Sequence, residues 1–173
     1  MPGWRERLQS LIGRAPGRPS GPEVYQSLRS MALGHDSSTI AVPDGERWSG
    51  ALVAAMELGR PDATVTILAV ADGSVSMYFS TGGAVIGAGE HAAVRGVAER
   101  FRTVAAESRG LLQQTDDFPM PDPGQVRFQV RTVDGDYSGV APEAALRSGR
   151  DALAPLYAAG QDLLTEIRLA TPT

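Results

Sequence analysis

Residues 63–80 read ATVTILAVADGSVSMYFS, two β-rich runs meeting at Asp72-Gly73. An Asp-Gly pair supplies the positive φ angles of a tight hairpin at little cost, and Val, Ile, Thr, Tyr and Phe suit a pleated surface. In the second run Val75, Met77 and Phe79 alternate with Ser74, Ser76, Tyr78 and Ser80. One face is apolar and the other carries hydroxyls, the pattern of a half-buried antiparallel strand.

Working outward, residues 125–140, QVRFQVRTVDGDYSGV, repeat the device: Val126, Phe128 and Val130 alternate with Arg127, Gln129 and Arg131, then turn at Asp134-Gly135. Between the hairpins, EHAAVRGVAERFRTVAAESRGLL (90–112) places Val94, Val97, Ala98, Phe101, Val104, Ala105, Leu111 and Leu112 on one helical stripe. Arg95, Glu99, Arg102 and Glu107 fall off that stripe. TDDFPMPDPG (115–124) ends the helix and reads as a surface crossover. A final helix runs from about Ala154 to Leu169, with Leu153, Leu156, Tyr157, Leu163, Leu164 and Ile167 inward and Pro155 in its first turn.

Upstream, RWSGALVAAMELG (47–59) fits a helix stripe through Trp48, Leu52, Ala55 and Met56, and equally an alternating strand through Trp48, Gly50, Leu52, Ala54 and Met56. Its shortness and its closeness to the following strands favour a strand. Two hairpins separated by a helix predict an α+β, two-layer domain over residues 47–173. Its antiparallel sheet has about five strands, helices lie mainly on one face, and the other face is open.

Residues 2–13, PGWRERLQSLIG, set Trp4, Leu8, Leu11 and Ile12 on one helical face. The prolines and glycines that follow make a tether, so residues 1–21 read as an amphipathic docking peptide on a linker. Four arginines in its first eighteen residues also permit peripheral contact with an anionic membrane surface. PEVYQSLRSMAL, from Pro22, predicts a short helix closed by Gly34, and residues 35–46 read as irregular connection.

The chain has 173 residues, a net charge of −4, no Cys and two histidines, His35 and His91. It also lacks Lys and Asn, so every positive side chain is Arg. With abundant Ala, Gly and Pro, this points to a GC-rich bacterial genome. The charge gives no footprint for nucleic acid. Without Cys there is no disulfide or zinc-thiolate site, and without Lys no Schiff base or phosphate-binding lysine. No metal or cofactor is expected, no apolar run approaches the ~20 residues of a membrane span, and no secretory signal opens the chain. A cytoplasmic location is the expectation.

The glycine-rich FSTGGAVIGAGEH (79–91) runs into Ala92, and GAGEHA (87–92) satisfies the G-x-G-x-x-A form of a dinucleotide loop. That mechanism needs a parallel strand, helix and strand, with phosphate at the helix amides. Here the preceding strand belongs to a hairpin, and Glu90 occupies the place a phosphate would take. The loop therefore reads as a structural corner. Thr81, Gly82, Gly83, Gly87, Gly89, Glu90 and His91 are kept as candidate ligand or partner residues, and an enzyme or small-ligand protein using them is the alternative. Ser80 or Thr81 beside His91 and a carboxylate suggests acyl transfer, but no nucleophile elbow accompanies them, and no residue is assigned a catalytic role.

ADGSVSMYFSTGGAVIGAGEH (71–91), with VRF at 126–128 and LAPLYAAGQDLL at 153–164, resembles a family of uncharacterised bacterial proteins over about Arg47 to Leu169. That resemblance implies no activity or cofactor. The order of hairpin, helix, hairpin and helix is also similar to roadblock and longin-like domains, which implies a non-enzymatic, dimerising scaffold. The expected function is thus an interaction module with protein partners, a homodimer, and a docking peptide at its N-terminus.

Overall fold

The computed structural model describes residues 21–34, 40 and 50–171. The docking peptide residues Trp4, Leu8, Leu11 and Ile12 lie outside the described residues, as do Trp48 and most of residues 35–49. Seven strands form one antiparallel sheet: β1 Val53–Gly59, β2 Thr64–Val70, β3 Val75–Phe79, β4 Ala84–Ile86, β5 Gln113–Gln114, β6 Gln125–Thr132 and β7 Gly135–Pro142. Their spatial order is β4-β3-β2-β1-β6-β7-β5. Among the described residues four α-helices accompany them: α1 Pro22–Gly34, α2 Ala92–Glu107, α3 Glu143–Arg147 and α4 Ala154–Ala170.

Both hairpins turn at or beside their Asp-Gly pairs, the first through Gly73 and the second over Val133 and Asp134, with Gly135 already paired with Thr132. Gly73 sits at φ 85°, the Gly73 amide donates to the Val70 carbonyl, and the Asp72 carboxylate accepts from the Ser74 amide at 2.8 Å. At the second hairpin Gly135 has φ 145°, and the Thr132 hydroxyl donates to the Gly135 carbonyl. The sheet has seven strands and not about five, because two pieces too short to carry a periodic signal pair with its margins. Ala84–Ile86 returns along β3 after a turn at Gly82 and Gly83, and Gln113–Gln114 adds to β7.

The ambiguous stretch before the first hairpin contains β1, and its position explains the ambiguity. β1 lies between β2 and β6, and all seven of its residues are buried. A strand covered on both faces has no polar side to alternate with. Ala54, Met56 and Leu58 join Ile67, Ala69, Val75, Met77, Val126, Phe128 and Val130 on the face that α2 and α4 cover. Gly160 lets α4 lie close to the sheet, since a Cβ there would stand 2.6 Å from the Met56 Sδ.

Three expectations are corrected. The sheet's second face is not open: α1 packs on it through Tyr25 and Leu28, against Val53, Ala55, Leu68, Val70 and Tyr78. Arg102, off the stripe by periodicity, is buried and donates to the Ala51 carbonyl at 3.1 Å. Burial pushes its guanidinium below the ordinary value. The long helix stops at Glu107, where the Ser108 hydroxyl turns back to the Val104 carbonyl. A 3₁₀ turn over Ser108–Leu111 follows and leaves Leu111 56% exposed.

Candidate functional site

The glycine loop resolves into two local devices. Gly82 and Gly83 are the β3–β4 turn, at φ 109° and 94°, with the Phe79 amide donating to the Gly83 carbonyl. Gly87, at φ 78°, opens a 3₁₀ turn over Ala88–Glu90, and His91 then leads into α2. Gly89 is a point of close approach: a Cβ there would stand 2.0 Å from the Gly73 carbonyl oxygen, so the loop rests on the neighbouring hairpin turn. Arg95 reaches back to the carbonyls of Gly89 and Glu90 at 3.1 and 3.0 Å. Thr81, Glu90 and His91 are all exposed. The loop therefore brings backbone segments together, while its polar side chains stand in solvent and make no catalytic contact with one another.

The chemically dense region lies elsewhere, on the face beneath α1; the alternation of Ser76 with Tyr78 and of Arg127, Gln129 and Arg131 marked that face in the sequence, but Glu57 and Arg29 went unread. Register aligns Arg127, Glu57, Thr66 and Tyr78 in one transverse row across β6, β1, β2 and β3. Glu57 is fully buried. Arg29 of α1 meets it with two donors, Nε at 2.6 Å and Nη2 at 2.9 Å. The Thr66 hydroxyl donates to it at 3.2 Å and the Gln129 amide at 2.7 Å. Four donors fill the accepting capacity of a carboxylate. Since Thr66 spends its proton on Glu57, the Tyr25 hydroxyl is the donor in its 2.9 Å contact with Thr66.

Arg29 also donates to the Phe118 carbonyl at 2.6 Å, tying the proline-rich crossover to α1. Burial works against the Arg29 charge, but the hydrogen bonds and charge of Glu57 outweigh it and hold the guanidinium above its ordinary value. Burial, reinforced by the Glu57 charge, pushes Tyr25 up to about 12. Burial does the same to Tyr78, also to about 12, with the Ser76 hydroxyl offsetting a little of it. The network is incomplete at its margins. Ser76 Oγ, Tyr78 OH, Arg127 Nε, Gln129 Oε1 and Arg131 Nη1 are buried on this face without a partner of normal hydrogen-bond geometry. Each such group costs about 1–3 kcal/mol relative to its hydrated state. The sequence signal for its centre was Glu57 itself, a lone carboxylate inside ALVAAMELG.

A second cluster closes the opposite layer. Glu143, at the start of α3, is ion-paired with Arg60 just after β1 and with Arg147, and accepts from the Tyr157 hydroxyl of α4 at 3.0 Å. The Arg60 hydrogen bond is the main reason its carboxyl is held below the ordinary range. An open cleft of about 470 Å³ lies at the tip of the second hairpin, between Gln114–Asp116 and Arg131–Asp136. Arg131 is tied there to Asp136 at 2.9 Å.

Among the described residues no group of three His, Asp or Glu side chains is arranged to hold a metal ion, and no helix is long and apolar enough to cross a membrane. Comparison of the chain with family models, with curated proteins and with solved structures found no match.

Proposed function

We propose that the protein is a non-enzymatic interaction module of a bacterial cytoplasm, self-associating and carrying a docking peptide in residues 1–21. The observation that carries this reading is the saturation of Glu57. The most deeply buried carboxylate receives four donors from three elements, so it holds layers together and has no lone pair left to accept a substrate proton. Glu143 is spent in the same way on Arg60, Arg147 and Tyr157. The alternative, a ligand or enzyme site in the Gly82–His91 loop, gains no support from geometry that commits the glycines to turns and leaves Glu90 and His91 in solvent.

Self-association falls to side-chain surfaces, because the sheet margins are blunt. β4 has three residues, β5 has two, and Pro142 ends β7. Short margins and proline discourage strand pairing between copies. The Arg109–Asp134 ion pair at 3.0 Å joins the 3₁₀ turn after α2 to the second hairpin tip, and beside it Leu111 and Val133 are 56% and 57% exposed. In light scattering the chain should give the mass of a dimer, and the Leu111→Asp, Val133→Asp double variant that of a monomer. A monomeric parent chain overturns the self-association half of the proposal.

A further inference from the structure

We infer that α1 is an exchangeable occupant of a helix-docking site, and that the partner fitting this site is an amphipathic helix presenting an aromatic residue, a leucine three positions on and an arginine four positions on. This deepens the interaction-module reading and rests on it. The two layers of the domain are built very differently. On the α2–α4 side the sheet contributes a continuous apolar floor. Beneath α1 the floor carries Glu57, Thr66, Ser76 and Tyr78, and α1 sets Tyr25 and Leu28 into its apolar cluster, with Val24 and Met31 at the fringe and Leu33 also buried.

On the face that α1 covers, Ser76 Oγ, Tyr78 OH and Gln129 Oε1 are buried without a partner of normal hydrogen-bond geometry. Opening returns these to water, so the helix is held by a smaller surplus than the rest of the domain. Units of this kind open independently of global unfolding.

The site nevertheless has a specific address. Tyr25, Leu28 and Arg29 stand at i, i+3 and i+4, one face of one helical turn. They supply, in order, a hydroxyl for Thr66, an apolar plug, and a two-pronged guanidinium for Glu57. An occupant without the arginine strands a buried carboxylate, which is heavily penalised. The floor therefore selects for a helix that carries this face and competes with α1 for it.

Hydrogen exchange on the 173-residue chain, with a fluorescent peptide of residues 22–34 as probe, tests this. The α1 amides should exchange at least about tenfold faster than those of α2 and α4. Arg29→Met should speed α1 a further tenfold or so while leaving α2 within about twofold. The probe should bind the Arg29→Met chain more tightly than the parent chain, and a probe carrying the same Arg29→Met change should not bind. Leu28→Ala, which strands no charge, serves as a second weakened host with the same expected uptake. Equal protection of α1 and α2, a parallel loss in both, or equal binding of the two probes overturns the inference. Failure of the probe while residues 1–21 still capture a partner refutes this site and not the interaction reading.

Discussion

Gly89→Ala separates a structural corner from a ligand loop. The Cβ it adds would lie 2.0 Å from the Gly73 carbonyl oxygen, 3.2 Å from the Gly73 carbonyl carbon and 3.3 Å from the Val75 amide nitrogen, all backbone atoms that no rotamer change can move. Relieving the contact requires the loop or the hairpin turn to shift by more than about 1 Å, against a buried Ala88 and the Arg95 contacts to Gly89 and Glu90. Overpacking of this kind costs about 1–3 kcal/mol. For a chain of this size that corresponds to a fall in Tm of about 2–12 °C. Gly96, mid-helix in α2 with open space around its Cβ position, is the control. Gly96→Ala should stabilise by about 0.5–1 kcal/mol through helix propensity. Thermal unfolding followed by circular dichroism at 222 nm measures both. If Gly89→Ala unfolds at the parent temperature or above it, the loop does not rest on the hairpin turn, and its glycines need another explanation.

Three further outcomes follow from the buried groups. The Glu143 carboxyl is held below its ordinary value, so its contribution is complete above the unfolded-state pKa and is lost as pH falls through the lower folded-state value. Glu143→Gln should therefore lower stability at pH 7 and flatten the acid limb of the stability profile below about pH 4.3, as read by urea unfolding at stepped pH. Tyr25 and Tyr78 are both raised to about 12, so their contribution is full below about pH 10 and is lost as pH rises toward 12. Absorbance titration at 295 nm should show late-ionising tyrosines, one removed by Tyr25→Phe and one by Tyr78→Phe, with Tyr157, also raised by burial and by Glu143, remaining in both variants. Gly160→Ala should lose stability despite its gain in propensity, because the new methyl meets Met56 Sδ at 2.6 Å and Cε at 2.9 Å. A net gain would show that Met56 can yield.

How much of this was legible in the chain depended on the range of the interaction. Asp72-Gly73 and Asp134-Gly135 carry their turn chemistry within four residues, and the hairpins lie where the pattern placed them. The apolar stripes of α2 and α4 repeat often enough to survive the one misplaced residue, Arg102, whose spacing looked external while its long side chain reached the Ala51 carbonyl. Ala84–Ile86 and Gln113–Gln114 are too short for any period to declare itself. The hydroxyl face of β2 and β3 looked solvated because nothing near it in sequence covers it. Its cover, α1, lies about forty residues upstream, where Tyr25 and Thr66 are 41 positions apart. For the same reason Glu57 and Arg29, 28 positions apart, gave no joint signal. The glycine loop drew attention through composition, and its glycines turned out to serve φ angles and close approach.

The central claim, that this is an interaction module whose first 21 residues dock on a protein partner, is tested most directly by quantitative mass spectrometry. Proteins recovered from a bacterial lysate by the 173-residue chain are compared with those recovered by the chain lacking residues 1–21. The account predicts a small set of proteins enriched on the longer bait and lost from the shorter one, whose circular dichroism spectrum remains that of a folded α+β domain. Equal recovery of the same proteins by both baits would contradict it.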